Sequence, residues 1–170
     1  MIIETPIGNL EAAFDQEERL CELRFECRAG FSPAPQASPK NREAGGKATA
    51  PATPQVGPQA VLRHQLLEYF EGRRQSFDVA LAPKGTPFQL AVWKALLEVP
   101  YGRTISYADL ALRIGKPGAV RAVGAANGAN PIPVIIPCHR IIGSNGTLTG
   151  YGGGIERKQW LLALEGARMF

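Results

Sequence analysis

Three consecutive residues near the carboxyl end of the chain, Cys138-His139-Arg140, combine a nucleophile, a base and a cation. The thiolate is the reactive form of cysteine, and a nearby histidine or cation lowers the pKa of a thiol towards neutrality. Neighbouring side chains on an extended chain point to opposite faces, so a direct hydrogen bond between Cys138 and His139 is disfavoured. We therefore predict a bridging water between them and a carboxylate behind the histidine, which these residues alone do not identify.

The alternative interpretation of Cys138 is a buried, unreactive side chain, which is the commoner state of a single cysteine. The chain has three cysteines (Cys21, Cys27 and Cys138), and its amino terminus lacks the basic and apolar regions of a secretion signal. Reduced thiols are therefore expected, with a cytoplasmic location that would be nucleoid-associated in a bacterium. The run Val134-Ile135-Ile136 predicts a buried strand that ends at Pro137 and presents the thiol at its rim.

The elements that precede the cysteine predict a helix-turn-helix. Thr86-Pro87-Phe88-Gln89 forms a capping box for a helix that Pro100 stops. Its inward face is expected to carry Phe88, Ala91, Val92, Ala95, Leu96 and Val99. A second helix starts at Ser106 and ends at Gly115, and a third runs from Pro117 to about Asn127. Two short helices joined by a tight glycine-containing turn are typical of DNA-binding proteins.

The third of these helices has an unusually small surface, made by Gly118, Ala119, Ala122, Gly124, Ala125 and Ala126. Close packing against another helix explains this composition equally well. The functional interpretation is a helix slim enough to enter a groove of DNA. Arg121 is the one long side chain that rises from this surface.

The composition divides the chain into two parts. Residues 1–28 predict a small antiparallel meander, with strands at Glu11 to Phe14 and Leu20 to Phe25. Residues 29–60 are rich in proline, alanine and serine and predict a flexible loop, after which helical spacing resumes from Val61 to Phe70. We predict an α/β domain over residues 1–80 and a mainly helical domain over 81–170. A glycine loop, Gly150 to Gly154, then precedes a last helix from Ile155 to Glu165, with Trp160, Leu161 and Leu164 turned inward.

The overall composition sets loose bounds on function. The 170 residues are 45% hydrophobic and 20% charged, which is the balance of a soluble globular protein. The net charge of +4 and the pI of about 9.1 favour polyanionic partners only mildly. No stretch approaches the roughly 18 apolar residues that cross a bilayer, so no membrane partner is expected.

Four ordered motifs carry a resemblance to a known family. Pro137-Cys138-His139-Arg140, with the preceding run from Asn130 to Ile136, closely resembles the active-site signature of the O6-alkylguanine-DNA alkyltransferases, also called methylated-DNA–protein-cysteine methyltransferases. The resemblance extends from roughly Gly85 to Gly166. It includes Thr104-Ile105-Ser106-Tyr107, Arg121-Ala122-Val123-Gly124 and Gly150-Tyr151-Gly152-Gly153-Gly154.

The resemblance implies a role for each matching residue of the catalytic group. Cys138 would take the alkyl group from guanine O6, or also from thymine O4, and keep it as a thioether, so that one molecule repairs one lesion. His139 would receive the thiol proton through water, and Glu165 would orient the histidine. Tyr107 would donate towards the departing guanine, and Asn130 would brace the turn before the cysteine.

The resemblance also implies how DNA is held. Arg121 would fill the gap left when the damaged nucleotide swings out of the duplex, and the DNA contacts would further include Ala119, Ala122, Gly124 and Arg140. Pro133 and the Tyr151 loop would wall the substrate pocket, with Gly152 standing where some relatives carry serine and Lys158 near the rim. Val120 replaces a small residue expected on the groove-facing helix.

The implied architecture is a ribonuclease H-like α/β domain followed by a winged helix-turn-helix domain. The expected partner is duplex DNA that carries alkylated bases, bound by a monomer without a cofactor. Some relatives hold zinc in the amino-terminal half, but the spacing of Cys21, Cys27 and His64 fits no tetrahedral zinc motif, so no metal is predicted.

Two other functions compete with this interpretation. A DNA-binding module without chemistry, either a regulator or a lesion sensor, would not need the nucleophile that Cys138 supplies. A cysteine hydrolase acting on a small substrate would need turnover and a deacylating water. Product beyond one equivalent per protein would favour the hydrolase.

Overall fold

A computed structural model describes residues 1–26 and 57–167. Within these ranges the elements are β1 (Ile2–Ile3), β2 (Leu10–Phe14), β3 (Leu20–Phe25), α1 (Pro58–Phe70), α2 (Pro87–Leu97), β4 (Ile105–Ser106), α3 (Tyr107–Arg113), α4 (Val120–Gly128), β5 (Ile141–Ile142) and α5 (Ile155–Leu164). Two 3-10 turns, Pro117–Ala119 and Cys138–Arg140, complete the set. The predicted mixture of helices and strands is confirmed.

The amino-terminal sheet is an antiparallel meander in the order β1-β2-β3. The predicted strand pair is confirmed, with Leu10 opposite Phe25 and a register shift between Ala13 and Phe14. Successive side chains of a strand point to opposite faces of the sheet, so Leu10 and Ala12 of β2 both face the core. Leu20 and Leu23 of β3 are fully buried beside them.

Helix α1 begins at Pro58, three residues before the predicted start at Val61, because proline at the first helical position is compatible with helix geometry. The end of the predicted loop at residue 60 is therefore wrong. The rest of that loop, residues 29–56, lies outside the described residues. The inner face of α1 buries Leu62, Gln65, Leu66, Tyr69 and Phe70.

Helix α2 has the predicted capping box, with the Thr86 side chain and the Gln89 side chain each bonded to the other's backbone N–H. Its predicted inward face needs one correction, since Ala91 is exposed and Trp93 is buried instead. The Trp93 indole N–H donates to the carbonyl of Ala126 at 2.9 Å, which fastens α2 to α4.

The helix-turn-helix comprises α3 and α4. Ser106 and Asp109 form a second capping box at the start of α3. Gly115, with φ 68°, lies at the end of the turn that follows α3, in a conformation that favours glycine. The predicted third helix starts as a 3-10 turn at Pro117 and continues as α4 from Val120. Strands β4 and β5 pair in parallel beside α3, so residues just after the cysteine are held against the start of the motif.

The strand predicted at Val134-Ile135-Ile136 is wrong. These residues are buried, but they form turns in which Ile136 N–H donates to the carbonyl of Ile132 at 2.9 Å. Val134 has φ 73°, in a region that β-branched residues rarely adopt. Prolines at 131, 133 and 137 leave too few N–H donors for a strand ladder, and hydrophobic burial alone is not specific to strands.

One hydrophobic core runs through both halves of the described chain. An isolated bridge joins Leu20 to Leu81, and Leu23 N–H donates to the carbonyl of Pro131 at 2.8 Å. The last helix buries Leu161, as predicted, together with Leu162, whereas Trp160 and Leu164 are partly buried at the edge of the core. The predicted domain boundary near residue 80 stays a prediction. Among the described helices none combines the length and apolarity needed to cross a membrane.

Candidate active site

Cys138 lies on a short 3-10 turn rather than at the end of a strand. Cys138 is only 4% exposed to solvent. The Asn130 side-chain amide donates to the Cys138 sulfur at 3.0 Å and to the carbonyl of Ile136 at 2.8 Å. The amide oxygen of Asn130 accepts from the Ile132 N–H at 3.0 Å. One side chain therefore braces the turn and touches the nucleophile.

The pKa of the Cys138 thiol contradicts the expectation from its neighbours. Burial raises this pKa to about 11, and the Asn130 hydrogen bond and the charge of Lys158 lower it only in part. The prediction that His139 and Arg140 bring the thiol pKa towards neutrality is thus wrong. At neutral pH the thiol is protonated in this state, so a base must remove its proton before it can attack.

His139, the next residue along the chain, is the candidate for that base. Its ring is fully buried, and its Nε2 lies 2.9 Å from Oε1 of Glu165. Burial lowers the pKa of His139, and the Glu165 contact raises it only in part, so the ring is neutral. An ionised carboxylate can only accept hydrogen bonds, which assigns the ring proton to Nε2. The lone pair is then on Nδ1, a buried atom without a hydrogen-bond partner among the described residues.

Glu165 is ionised because the hydrogen-bond donors around it lower the carboxyl pKa by more than burial raises it. Burial acts to raise the carboxyl pKa, but hydrogen bonds from His139 and Arg140 lower it to about 2. The Arg140 guanidinium approaches the two oxygens at 2.8 and 2.9 Å. The Tyr69 hydroxyl donates to Oε1 at 2.6 Å, and the Gly102 N–H donates to Oε2 at 3.1 Å. Five donor atoms from four residues thus converge on one carboxylate.

Gly102 is required by this arrangement. It has φ 69°, and a Cβ atom at this position would lie 2.8 Å from the backbone oxygen of Glu165. Only glycine permits both the backbone conformation and the close approach. The loop after α2 therefore contacts the end of α5, and this contact helps to position the Glu165 carboxylate beside His139.

Tyr107 stands at the start of α3, half-buried, and its hydroxyl donates to the carbonyl of Thr149 at 3.0 Å. Burial raises the pKa of this phenol, so it remains a proton donor. Gly124 of α4 lies against the Tyr107 ring, because a Cβ atom at residue 124 would be 3.8 Å from a ring carbon. The first helix of the motif therefore carries a donor that faces the glycine loop.

A cavity of about 820 Å³ opens beside the thiol. Pro133, Tyr151 and Gly152, three of the residues predicted to form the pocket, line it together with Asn130 and Cys138, whereas Lys158 does not. Residues 22–26, which are the end of strand β3 and the residue after it, form another part of the wall. The cavity is therefore shared between the two halves of the chain, with a nucleophile on one side of it.

Comparison with known proteins accounts for this arrangement. Residues 87–167 match the family model "6-O-methylguanine DNA methyltransferase, DNA binding domain". A methylated-DNA–protein-cysteine methyltransferase from Methanosarcina acetivorans is 45% identical over 166 residues, which cover 98% of this chain and 97% of that protein. The chain belongs to the methylated-DNA–protein-cysteine methyltransferase family.

Further relatives of the family agree. The protein of that name from Mycobacterium bovis is 58% identical over 116 residues, 68% of this chain and 70% of that one. The protein in a crystal structure of Mycobacterium tuberculosis OGT in complex with DNA is 44% identical to this chain. The match covers 97% of this chain and 91% of that one, with a TM-score of 0.75. The predicted family and two-part α/β fold are confirmed.

The helix expected to meet DNA in this family is exposed on one side. Arg121 and Ala122 of α4 are exposed, and Ala119 and Gly124 are half-buried. Val123 and Ala126 are buried and attach the helix to the core. Val120, which replaces a small residue, is half-buried and packs against the core. The small composition therefore serves an open surface around Arg121 as well as helix packing.

Two predicted site residues lie elsewhere than expected. Arg140, assigned to DNA, is buried and bonded to Glu165 and to the Val99 carbonyl, so its guanidinium has no access to a phosphate. Lys158, assigned to the pocket rim, is fully buried and donates to the carbonyls of Ile141 and Thr149 at 2.6 and 2.8 Å. Burial lowers the pKa of Lys158 to about 8.

Sequence reasoning missed several residues that complete the site. Tyr69 lies 96 positions before Glu165 in the chain, and Phe25 and Arg157 bring the amino-terminal sheet to the cavity wall. No local pattern identifies such long-range contacts, since a tyrosine on the inner face of a helix is typical of any core. Among the described residues no group of three or more His, Cys, Asp or Glu is placed to hold a metal. Cys27 is outside the described residues, so the absence of a metal stays a prediction.

The Glu165 network predicts loss of stability in acid. The folded pKa of Glu165 is about 2, below its ordinary value of 4.5, and that of His139 is also lowered. Between the folded and unfolded values the unfolded chain binds more protons, so the free energy of unfolding falls as pH falls. We expect this decline to begin below about pH 6.5 and to steepen from pH 4.5 towards pH 2.

Urea unfolding at pH 7, 5 and 3 measures this dependence. Glu98→Gln, which removes an exposed acid at the end of α2, is the control and should keep the wild-type pH dependence. A free energy of unfolding that stays constant from pH 6.5 to pH 3 would contradict the ionised, buried carboxylate.

Proposed function

We propose that the protein repairs alkylated duplex DNA by transferring the alkyl group from O6 of guanine to the sulfur of Cys138, once per molecule. The observation that carries this proposal is the position of the Cys138 thiol in an open cavity, next to the buried His139–Glu165 pair. Membership of the methylated-DNA–protein-cysteine methyltransferase family supports it. Nucleophile, base and DNA-facing helix all belong to one chain, so a monomer is sufficient.

Activation of the thiol requires a proton path. Nδ1 of His139 carries a lone pair and is the unpartnered atom of the ring. We assign to it the thiol proton, which a bridging water transfers. The imidazolium that forms would be stabilised by Glu165, whose carboxylate is already held by Arg140 and Tyr69. A thiol pKa near 11 then matters less, because the proton leaves only as the base takes it up.

The transfer step is an in-line displacement. The Cys138 sulfur attacks the alkyl carbon, a sulfur–carbon bond forms, and the bond between that carbon and guanine O6 breaks. The electron pair remains on guanine, which takes a proton from the Tyr107 hydroxyl. The imidazolium proton then replaces the proton that Tyr107 lost, so the net transfer is from thiol to guanine. A thioether is a poor leaving group, and the thiol is therefore not regenerated.

Access to O6 requires that the nucleotide leave the stacked duplex, at a cost of a few kcal/mol. Helix α4 has an exposed surface of small residues from which Arg121 projects. We assign this surface to the minor groove, where an inserted side chain can occupy the space of the extruded base. Ala119, Ala122 and Gly124 would allow close approach of the helix to the groove walls.

The direct test is the mass of the Cys138 peptide after incubation with a duplex that contains one O6-methylguanine. We expect a gain of one methyl group, with product reaching one equivalent and no more. An unmodified Cys138 peptide would overturn the proposal in favour of a lesion-binding protein. Product beyond one equivalent would favour a cysteine hydrolase.

Arg121→Ala should slow repair of duplex DNA by about tenfold or more, because the extruded state loses the side chain that stabilises it. Transfer from free O6-methylguanine base, which needs no extrusion, should change less than twofold. Rates of Cys138 alkylation with the two substrates measure the difference. Arg113→Ala, which removes an exposed arginine from α3, controls for the loss of charge. Equal slowing on both substrates would contradict the assigned role.

A further inference from the structure

Asn127, near the carboxyl end of helix α4, places a buried amide close to both the nucleophile and Tyr107. The residue is only 1% exposed to solvent. Asparagine is mostly found on protein surfaces, because an amide loses its hydrogen bonds to water when it is buried and needs partners in the protein instead. The partners of Asn127 therefore indicate what this side chain does.

The first partner is the backbone of the nucleophile. The Asn127 Nδ2 group donates to the carbonyl oxygen of Cys138 at 3.4 Å. This distance exceeds the usual range of about 2.7–3.2 Å, so the contact is a weak one. Asn130 already braces the same turn through a hydrogen bond of 2.8 Å to the carbonyl of Ile136. Anchoring the turn is therefore not a sufficient reason for a second buried amide.

The second partner is Tyr107. The Tyr107 ring lies against Gly124, where a Cβ atom would be 3.8 Å from a ring carbon. Asn127 follows Gly124 by three positions on α4 and therefore lies on the same face of the helix, one turn further along. Burial raises the pKa of the Tyr107 phenol, and a hydrogen bond from the Asn127 side chain is among the interactions that lower it.

The orientation of the amide favours its donors over its acceptor. The Asn127 Oδ1 atom is buried and has no hydrogen-bond partner among the described residues. Leaving a buried acceptor unpaired costs stability. Turning the amide around would place this oxygen against the carbonyl oxygen of Cys138, and two acceptors repel each other. The observed orientation therefore directs the N–H groups to Cys138 and Tyr107 and leaves the oxygen unpaired.

A donor at this position matters because of what Tyr107 must do. Its hydroxyl donates to the Thr149 carbonyl at 3.0 Å, and in the proposed reaction it gives its proton to guanine. The proton leaves a negative charge on a half-buried phenol oxygen, and burial disfavours that charge. An N–H group directed at the oxygen stabilises the charge as it forms.

We propose that Asn127 is a positioning residue for the proton donor: its side-chain N–H donates to the Tyr107 oxygen and stabilises the phenolate that forms when guanine takes the Tyr107 proton. This inference rests on the proposed alkyl transfer to Cys138. No covalent bond to Asn127 forms or breaks. The His139 imidazolium then returns a proton to Tyr107, and the neutral phenol is restored.

Asn127→Leu, which removes the amide at nearly constant size, tests the inference. We expect the maximal rate of Cys138 methylation, at saturating O6-methylguanine duplex, to fall about tenfold, near the lower end of what a hydrogen bond to a charged group contributes. The duplex concentration that gives half the maximal rate should change less than twofold, since Asn127 is buried. Asn127→Asp has no side-chain N–H when ionised. It should also be slowed, and it provides the test if the leucine variant does not fold.

The matched control is Gln65→Leu, which removes another buried amide, on α1, whose oxygen accepts from the Asp78 N–H. This variant should keep the wild-type maximal rate at a temperature where it is folded. The decisive background is Tyr107→Phe, which lacks the hydroxyl. In that background the further change Asn127→Leu should alter the maximal rate less than twofold.

Equal slowing by Asn127→Leu in the wild-type and Tyr107→Phe backgrounds would overturn the inference, because Asn127 would then act through the Cys138 turn. Wild-type rates in both Asn127 variants would also overturn it. If the unaltered protein transferred no methyl group to Cys138, the proposed function would fail and this inference with it. Methyl transfer by the unaltered protein, together with either of the first two results, would overturn the inference alone.

Discussion

Cys138→Ala should abolish alkyl transfer while the affinity for duplex DNA changes less than twofold. The sulfur is the one atom that the substitution removes from the reaction, whereas helix α4 and its exposed Arg121 are untouched. The side chain is buried, but its loss is a small one, about 1 kcal/mol of stability. The measurement pairs the mass of the protein after incubation with O6-methylguanine duplex with the dissociation constant of the same duplex.

The matched control is Cys21→Ala. Cys21 is a free, partly exposed cysteine of β3 whose thiol bonds weakly to the Arg19 carbonyl. This variant should still gain one methyl group per molecule, on Cys138. Methyl transfer that survives Cys138→Ala would mean that another cysteine is the acceptor, and peptide mapping would then locate it. Loss of DNA binding in the same variant would mean that the thiol contributes to recognition rather than to chemistry alone.

The elements around this thiol differ in how far local sequence determines them. The starts of α2 and α3 were both predicted, and the capping box of α2 with them, because Thr86 with Gln89 and Ser106 with Asp109 satisfy the first N–H groups of their own helices. The buried turn before Cys138 was not. Its apolar residues fit a strand equally well, and only the placement of prolines against the rest of the core decides between the two.

The chemistry of the site shows the same division. The proposed nucleophile and its adjacent candidate base could be predicted from the tripeptide, and family resemblance supplied Glu165. The pKa of Cys138 was predicted in the wrong direction, since proximity in sequence suggested charge stabilisation whereas burial dominates. Arg140 was misassigned for a related reason. A cation next to an active-site residue resembles a phosphate ligand until the fold shows that it is buried against Glu165.

Glu165→Gln should lower both the stability of the protein and its rate of alkyl transfer. The carboxylate receives hydrogen bonds from Tyr69, Gly102, His139 and Arg140, all of which are donors. An amide replaces one acceptor oxygen with a donor N–H2 group and leaves the Arg140 charge buried without its counter-charge. Removing one partner of a buried ion pair costs about 3–5 kcal/mol, so we expect the free energy of unfolding to fall by that amount.

The rate of alkyl transfer should also fall, by about 10²–10⁴-fold. In the wild type the Glu165 carboxylate fixes the His139 proton on Nε2, which leaves Nδ1 free to act as base, and the variant loses this acceptor. Urea unfolding and the rate of Cys138 alkylation, measured at a temperature where the variant is folded, distinguish the two effects. Glu156→Gln, in the exposed first turn of the same helix, is the control and should change stability by less than about 0.5 kcal/mol. A folded Glu165→Gln protein that alkylates at the wild-type rate would show that Glu165 holds the fold without serving the base, so that His139 does not depend on the carboxylate to accept the thiol proton.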